Sequence, residues 1–193
     1  MKTLQKITRE VQAWKEKKYR VIGTVANMFA PKNLGLLVKV AAQLVEADNK
    51  YHFVIVGDGP ERQKIEKEIK SQNLNDFFTL TGQQDNCWLL IKQFDVFVLC
   101  SSKEGFPYIL LEAGLAKVPI VASNVGGISE LIIDKQTGHL CDDLETDTFM
   151  KKIKLSLENP NKTRQMTERL YQKIKKDFSM ERMMREYEKE YGI

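Results

Sequence analysis

The sequence is poor in residues that form disulfides or bind metal ions. It contains three cysteines and two histidines among 193 residues. The cysteines, Cys87, Cys100 and Cys141, are odd in number and form no CxxC pair, so we expect reduced thiols. His52 and His139 belong to no HxxxH motif, so a zinc site is not expected. A chain of this length buries enough apolar surface to fold without either kind of cross-link.

Long apolar runs are also absent. No stretch approaches the ~20 apolar residues that span a bilayer, and residues 1–20 are too polar to resemble a signal peptide. We therefore expect a cytoplasmic location. Hydrophobic residues make up 42% and charged residues 29% of the sequence, which is typical of a folded domain and excludes collagen, coiled coil and intrinsic disorder.

The net charge of +4 is unevenly distributed. Residues 1–20 contain seven Lys or Arg against two Glu, and residues 151–193 contain twelve Lys or Arg against seven Asp or Glu. Both ends are thus +5, and the segment between them is −6. Solvated helix surfaces explain this pattern most simply, and peripheral contact with the inner face of an anionic membrane is the alternative. Without an RNP, KH or helix-turn-helix motif, no nucleic-acid partner is expected.

Short apolar runs alternate with amphipathic segments from residue 21 onward. The runs predicted as strands are 21–28, 51–57, 77–82, 94–100, 118–123 and 138–141. The segments predicted as helices between them are 34–47, 60–72, 86–94, 107–117 and 126–133. Such alternation predicts an α/β fold with a parallel sheet covered by helices on both faces, and a ligand at the carboxyl ends of the strands. Three consecutive helices are predicted after it, at 144–158, 160–177 and 179–191.

Glycine-containing loops follow two of the predicted strands. Gly57 and Gly59 stand in the segment GDGPER, between a strand and a helix, where bare amides and a helix N-terminus favour an anion. Gly126 and Gly127 occupy the same kind of place after the strand at 118–123. An ordinary turn is the simpler interpretation of the first loop and explains the second equally well. Lys32, before the helix at 34–47, has the charge to neutralise a phosphate, although an exposed loop lysine is the simpler interpretation.

The segment SSKEGFPYILLEAG, residues 101–114, carries two glutamates eight residues apart. Pro107 begins a helix whose first amides suit an anionic or hydroxyl-rich ligand. The neighbours of Glu112 are apolar, so we expect its carboxylate in a buried pocket wall, where ligand hydroxyls would be its partners. Two surface glutamates on a helix are the alternative to a site formed by Glu104 and Glu112.

These features together resemble the donor-binding C-terminal domain of the family 4 glycosyltransferases, which belong to group 1 and have the GT-B fold. The resemblance covers about two-thirds of the chain. The motifs that carry it are VIGTVANMFAPKN, VIVGDGPER, LTG, DVFVLCSSKEGFPYILLEAG, VPIVASNVGGISELI and TGHL. The resemblance implies a Rossmann-like sheet, one half of a GT-B fold, at 21–158. It also implies an interdomain-connection-like basic segment at 1–20 and a C-terminal helical tail at 159–193.

The family resemblance implies transfer of a hexose from a nucleoside-diphosphate sugar with retention at the anomeric carbon, and with no cofactor or metal. Glu104 and Lys32 would be catalytic, Glu104 on the sugar hydroxyls and Lys32 on the diphosphate. Glu112 would hold the ribose hydroxyls. The donor-binding residues would be Asn27, Lys32, Gly57, Gly59, Gly82, Glu104, Gly105, Phe106, Pro107, Tyr108, Glu112, Gly126 and Gly127.

The chain departs from the family pattern in two ways. Asn27 stands where the family usually has an arginine on the diphosphate, so the stabilisation of the leaving group is expected to be weaker. Only residues 1–20 precede the first strand, and they resemble an interdomain connection more than an acceptor-binding domain. The chain is then a truncated piece of a longer protein, a fragment of a split gene or one subunit of a two-chain enzyme, and alone it is expected to transfer little. A nucleotide-sugar binding module, a sugar-nucleotide epimerase on the same fold, and a scaffold without ligand remain alternatives.

Overall fold

The computed structural model describes residues 3–192 and contains one six-stranded sheet. Met1, Lys2 and Ile193, which belong to the predicted terminal segments, lie outside the described residues. The strands are β1 (Arg20–Val25), β2 (Tyr51–Val56), β3 (Phe78–Leu80), β4 (Val96–Leu99), β5 (Ile120–Ser123) and β6 (His139–Cys141). Their order is β3-β2-β1-β4-β5-β6, and all five pairings are parallel. The carboxyl ends of all six strands therefore meet at one edge, which confirms the predicted parallel α/β sheet.

Helices connect the strands and continue after the sheet. They are α1 (Leu4–Glu16), α2 (Leu34–Ala47), α3 (Arg62–Ser71), α4 (Trp88–Ile91), α5 (Tyr108–Leu115), α6 (Ile128–Leu131), α7 (Thr146–Glu158), α8 (Pro160–Asp177) and α9 (Met180–Tyr191). Helix α1 was not predicted: it packs through Ile7 and Val11, which are fully buried. Helices α4 and α6 have only four residues each, so the helices predicted at 86–94 and 126–133 are present but about half as long as expected.

The sheet has an apolar core on each face. Alternate residues of β2 point to opposite cores, with Phe53 and Ile55 on one side and Val54 and Val56 on the other. Helices α2, α3 and α7 supply the first core, and helices α1, α4, α5, α6 and α8 supply the second. Strands buried on both faces must be apolar throughout, which is why β2, β4 and β5 read as continuous hydrophobic runs.

The two histidines are structural. His52 is buried in β2, stacks on Trp14 with ring centroids 4.3 Å apart, and its Nε2 lies 2.9 Å from Thr79 Oγ1. His139 is buried at the start of β6, and burial lowers its pKa. Asp134 lies beside it, with Oδ1 3.0 Å from Lys152 Nζ. Burial acts to raise the pKa of Asp134, but the Leu140 amide and Lys152 outweigh it and hold the pKa below its ordinary value.

The three cysteines are free thiols, as expected. Cys100 and Cys141 are buried, and burial raises the pKa of Cys141 to about 12. Cys87 is half-buried, and burial followed by the nearby Glu112 carboxylate raises its pKa. The buried pair therefore consists of inert, protonated thiols at neutral pH.

The three consecutive helices after the sheet are confirmed, and they pack differently. Helix α8 lies against α5, where Leu170 and Ile174 contact Gly114. Helix α9 has no buried residue and exposes an apolar face. No helix within residues 3–192 is both long and apolar enough to span a membrane. The division of the chain at residues 20/21 and 158/159 stays a prediction.

Candidate functional site

A cleft of about 470 Å³ opens at the carboxyl ends of β1, β2 and β4. Seven of the sequence-predicted site residues line it: Asn27, Lys32, Gly57, Glu104, Phe106, Pro107 and Tyr108. The other six predicted residues are not among its lining, and they are Gly59, Gly82, Gly105, Glu112, Gly126 and Gly127. The structure thus brings together residues from three separate loops, as the parallel topology requires.

Lys32 and Glu104 form an ion pair in this cleft. Lys32 Nζ donates to Glu104 Oε1 at 2.6 Å, and the two side chains are 26% and 9% exposed. Ser101 Oγ donates to the same carboxylate oxygen at 2.6 Å. Among the described residues that line the cleft, Lys32 and Glu104 are the only ones with charged side chains. An anion entering the cleft therefore meets a single cation that already has a partner.

Backbone contacts hold the loops of the pair together. The Ser102 amide donates to the Pro31 carbonyl at 2.8 Å, which ties the loop after β4 to the loop after β1. Ser123 Oγ, at the end of β5, donates to the Ser101 carbonyl at 2.6 Å. Ser101 and Ser123 are fully buried, so their hydroxyls need these acceptors. The position of Glu104 is thus fixed from both neighbouring strands.

The glycine pair after β5 packs behind the glutamate loop. Gly126 has φ +55°, and a Cβ there would overlap the Glu104 carbonyl oxygen. The Gly127 amide donates to the Gly105 carbonyl at 2.7 Å. Gly105 itself is open, with no atom within 4 Å of a Cβ placed on it. The pair Gly126–Gly127 therefore allows two loop backbones to approach closely, and Gly105 is the glycine whose backbone is accessible to a ligand.

The glycines of GDGPER serve the same kind of close approach. Gly57 has φ +133°, and a Cβ there would overlap the carbonyl oxygen of Ala26. Its amide donates to the Gly82 carbonyl at 2.9 Å, which joins the ends of β2 and β3. Gly59, with φ +157°, lies against the backbone of Met28. These contacts leave Asn27, between Ala26 and Met28, exposed at the cleft.

Glu112 does not lie in a buried wall, so that expectation was wrong. Helix α5 buries Leu110, Ala113 and Gly114, and Glu112 lies off that face and is exposed. Its Oε2 is 3.9 Å from Cys87 Sγ, a long thiol hydrogen bond. The carboxylate is therefore open to solvent near the start of α4.

Sequence reasoning missed the side chains of Gln83 and Gln84. Both line the cleft, in the loop that follows β3. Gln84 Nε2 donates to the Thr81 carbonyl at 3.1 Å. Their position directly after a strand is the signal that could have identified them. Side chains that follow a strand of a parallel sheet lie at the carboxyl edge, where the cleft opens.

The start of α5 completes the cleft. Tyr108, the first residue of α5, is 75% exposed, and Pro107 before it is buried. The first amides of a helix have no intrahelical acceptor and carry partial positive charge. The cleft therefore offers one ammonium group, one carboxylate and a helix N-terminus. No group of three or more His, Cys, Asp or Glu side chains within residues 3–192 is placed to hold a metal ion.

Comparison with known proteins agrees with this architecture. N-acetyl-alpha-D-glucosaminyl L-malate synthase of Bacillus anthracis is 32% identical over 173 residues, which cover 89% of this chain and 45% of that protein. The chain thus spans less than half the length of this relative. A TarM variant of S. aureus, crystallised with Fondaparinux, alpha-GlcNAc-glycerol and UDP, superposes with a TM-score of 0.82 at 26% identity, covering 88% of this chain and 34% of that chain.

A second solved structure shows the same fold over nearly its whole length. The C-terminal domain of the group 1 glycosyl transferase LpcC from Francisella tularensis has a TM-score of 0.74 at 19% identity, and the match covers 88% of this chain and 92% of that domain. Residues 5–173 of the present sequence match the family model of the glycosyl transferases group 1. Because that match includes most of the chain, the protein belongs to the group 1 glycosyl transferases, and its fold is half of a GT-B fold.

Proposed function

We propose that this chain is the donor-binding half of a retaining glycosyltransferase. It would transfer a hexose from a nucleoside-diphosphate sugar to a glycan or lipid-linked acceptor in polysaccharide biosynthesis. The observation that carries the proposal is the Lys32–Glu104 pair in the cleft at the carboxyl edge of the sheet. A nucleoside-diphosphate sugar has anionic phosphates beside sugar hydroxyls, so one ligand supplies a partner to each member of the pair.

In this proposal, Lys32 moves from Glu104 to the diphosphate. Negative charge develops on the diphosphate as the bond to the sugar breaks, and a fixed ammonium group with oriented amides stabilises it without a metal ion. Tyr108 and the residue after it, at the start of α5, supply such amides. Glu104 then accepts hydrogen bonds from the sugar hydroxyls while Ser101 keeps its carboxylate in place. The exposed carboxylate of Glu112 binds the ribose diol.

Uridine diphosphate N-acetylglucosamine (UDP-GlcNAc) is the first donor to test. The TarM crystal contains UDP and alpha-GlcNAc-glycerol, and the relative from Bacillus anthracis is named for an N-acetyl-alpha-D-glucosaminyl product. These two proteins support a uridine nucleotide and an N-acetylhexosamine as starting points for this chain. A lipid-linked acceptor would also give a role to the basic residues at both ends of the chain, as peripheral membrane contacts.

A nucleotide-sugar binding module without transfer is the second candidate. The observation that favours it is that, among the described residues lining the cleft, Lys32 is the one cation and Asn27 is uncharged. Acceptor positioning accounts for several kcal/mol of a transfer barrier, and we propose that a separate N-terminal domain or subunit supplies it. Asn27→Arg tests this candidate, because a second cation is expected to tighten UDP binding several-fold and to raise any transfer measured with an added partner.

Binding of nucleotides to the purified protein tests the main proposal. Thermal shift and calorimetry are run with UDP, GDP, ADP and their common sugar conjugates, with and without EDTA. We expect a selective rise in melting temperature with one base that EDTA does not change. A folded protein that binds none of these ligands at millimolar concentration would contradict the proposal.

Two glutamate variants separate the parts of the site. Glu104→Gln is expected to lower the affinity for the sugar conjugate by about ten- to a hundredfold, because a hydrogen bond to a charged group is lost. The variant is expected to bind bare UDP at least as tightly as the parent does. Glu112→Gln is expected to lower the affinities for UDP and for its sugar conjugate by the same factor. Glu46→Gln, at an exposed position of α2, is the matched control. If both site variants bind every ligand as the parent does, the assignment of the site is wrong.

A further inference from the structure

An aromatic stack joins the donor cleft to the end of α8. The rings of Phe106 and Phe178 lie with centroids 5.3 Å apart and an interplanar angle of 25°. Phe106 lines the cleft, and Phe178 is the first residue after α8. The two are 72 positions apart in the sequence, and both are partly buried against the second core. The loop that carries Glu104 therefore rests on a residue outside the strands and loops of the cleft.

Phe178 is held in place from both sides. Its amide donates to the Ile174 carbonyl at 2.9 Å, so it closes the last turn of α8. Lys173 Nζ lies 5.2 Å from the centre of its ring. Asp177 accepts from Arg182 of α9 at 2.9 Å, and Ser179 Oγ caps α9 by accepting from the Arg182 amide at 3.2 Å. The ring thus stands at the junction of α8 and α9, between Lys173 and Phe106.

The stack matters because the loop gives up its ion pair with Lys32 when a donor binds. In the proposed function, Lys32 leaves Glu104 for the diphosphate. Gly105 has no neighbour within 4 Å of a Cβ placed on it, so that position adds no packing. The hydrogen bonds from Gly127 to Gly105 and from Ser101 to Glu104 remain, and so does the stack of Phe106 on Phe178. The stack is therefore the aromatic contact that the loop keeps in its ligand-bound state.

We propose that Phe178 is a positioning residue for the donor site, which orders the loop of residues 104–107 by stacking on Phe106. This inference rests on the proposed function, because the loop is the part that receives the sugar. A loop without this stack samples more conformations, and the ligand must then supply the ordering free energy. The loss falls on the sugar conjugate more than on bare UDP, because Glu104 contacts the sugar.

Calorimetric dissociation constants for UDP-GlcNAc and UDP test the role of Phe178. Phe178→Leu keeps an apolar side chain but removes the ring, and we expect UDP-GlcNAc to bind about two- to tenfold more weakly, the value of one aromatic pair. Phe178→Tyr is expected to restore parental binding. Tyr187→Leu is the matched control, because Tyr187 lies on α9 and stacks on Tyr191 instead. If Phe178 had a purely structural role, Phe178→Leu would lower the melting temperature but leave the ratio of the affinities for UDP-GlcNAc and UDP unchanged.

A double-mutant cycle ties the effect to the stack. In a Phe106→Leu background, Phe178→Leu is expected to cause no further loss of affinity, whereas independent effects would multiply. Should either variant fail to fold, hydrogen exchange of the parent serves instead, and UDP-GlcNAc is expected to slow exchange of the amides at 177–183. No slowing there would overturn the inference.

The outcomes distinguish the two proposals. If the parent binds UDP-GlcNAc and Phe178→Leu binds it equally well, the positioning role is wrong and the proposed function stands. If the parent binds no nucleotide sugar, both are wrong. If UDP-GlcNAc binding weakens in Phe178→Leu and recovers in Phe178→Tyr, both are supported.

Discussion

Replacing Lys32 by alanine tests the contribution of the Lys32–Glu104 ion pair to the free energy of unfolding, and it needs no ligand. Glu104 is 9% exposed, and among the described lining residues Lys32 is its only possible counter-ion. Lys32→Ala leaves the carboxylate with the Ser101 hydroxyl but with no compensating charge. Exposed ion pairs contribute about 0–1 kcal/mol, and breaking buried pairs costs about 3–5 kcal/mol. For this half-buried pair we expect the free energy of unfolding to fall by about 1–2 kcal/mol.

Replacing the other member of the pair, Glu104, is expected to lower the free energy of unfolding by less. The Lys32 side chain is 26% exposed, so its ammonium group regains water when Glu104 is neutralised. Glu104→Gln keeps the side-chain volume and an acceptor for Ser101, and we expect a loss below about 1 kcal/mol. The double variant Lys32→Ala/Glu104→Gln is expected to be more stable than Lys32→Ala, because the uncompensated charge is gone.

Urea unfolding at pH 7, followed by circular dichroism, measures these differences. Each kcal/mol corresponds to about 2–4 °C in melting temperature for a protein of this size. Lys39→Ala, at an exposed position of α2, is the control for loss of a lysine. Two results would refute the claim that the uncompensated charge of Glu104 causes the loss of stability. One is equal destabilisation by Lys32→Ala and Glu104→Gln, and the other is a double variant that is no more stable than Lys32→Ala.

Three further predictions concern loops, pH and thiols. Gly126→Ala is expected to lower the free energy of unfolding by about 1–3 kcal/mol, because of its positive φ and the overlap with a backbone oxygen, and the matched Gly105→Ala to change it little in the same urea titration. Because the pKa of Asp134 is lowered by folding, Asp134→Asn is expected to be less stable than the parent at pH 7, and the gap should close as pH falls below 3.8. A thiol-reactive dye is expected to label the half-buried Cys87 in the folded protein, more slowly than a free thiol because its pKa is raised, and to label Cys100 and Cys141 only after unfolding in urea. Labelling of those two in the folded protein as fast as that of Cys87 would contradict their burial.

The order of elements was predictable because the apolar patterns are strong. Helix α2 has the predicted bounds, Leu34–Ala47, since its buried residues recur at helical spacing over four turns. The weaker patterns gave poorer predictions: α1 buries only two residues and was missed, and the helix predicted at 86–94 is a single turn, Trp88–Ile91. Short elements depend on tertiary packing more than on their own pattern, so their bounds cannot be read from the chain alone.

The site was predictable as a location but not as a set of contacts. Parallel topology places Lys32 and Glu104 at the same edge of the sheet, but their direct contact depends on how two loops pack. The exposure of Glu112 follows from which face of α5 meets α8, and a single helix of eight residues does not specify that. The stack of Phe106 on Phe178 joins distant parts of the chain, and no local pattern marks it.

The central place of β1 in the sheet has a consequence for how the protein folds. Strand β1 pairs with β2 on one side and with β4 on the other, although residues 26–95 separate it from β4 in the chain. A ribosome-bound chain that ends before residue 96 therefore has one edge of this central strand open. Open apolar edges recruit other chains, and pairing over long sequence separations is slow. During synthesis of residues 26–95, β1 thus lacks one of its two partner strands, and incompletely paired chains of this kind are prone to aggregate.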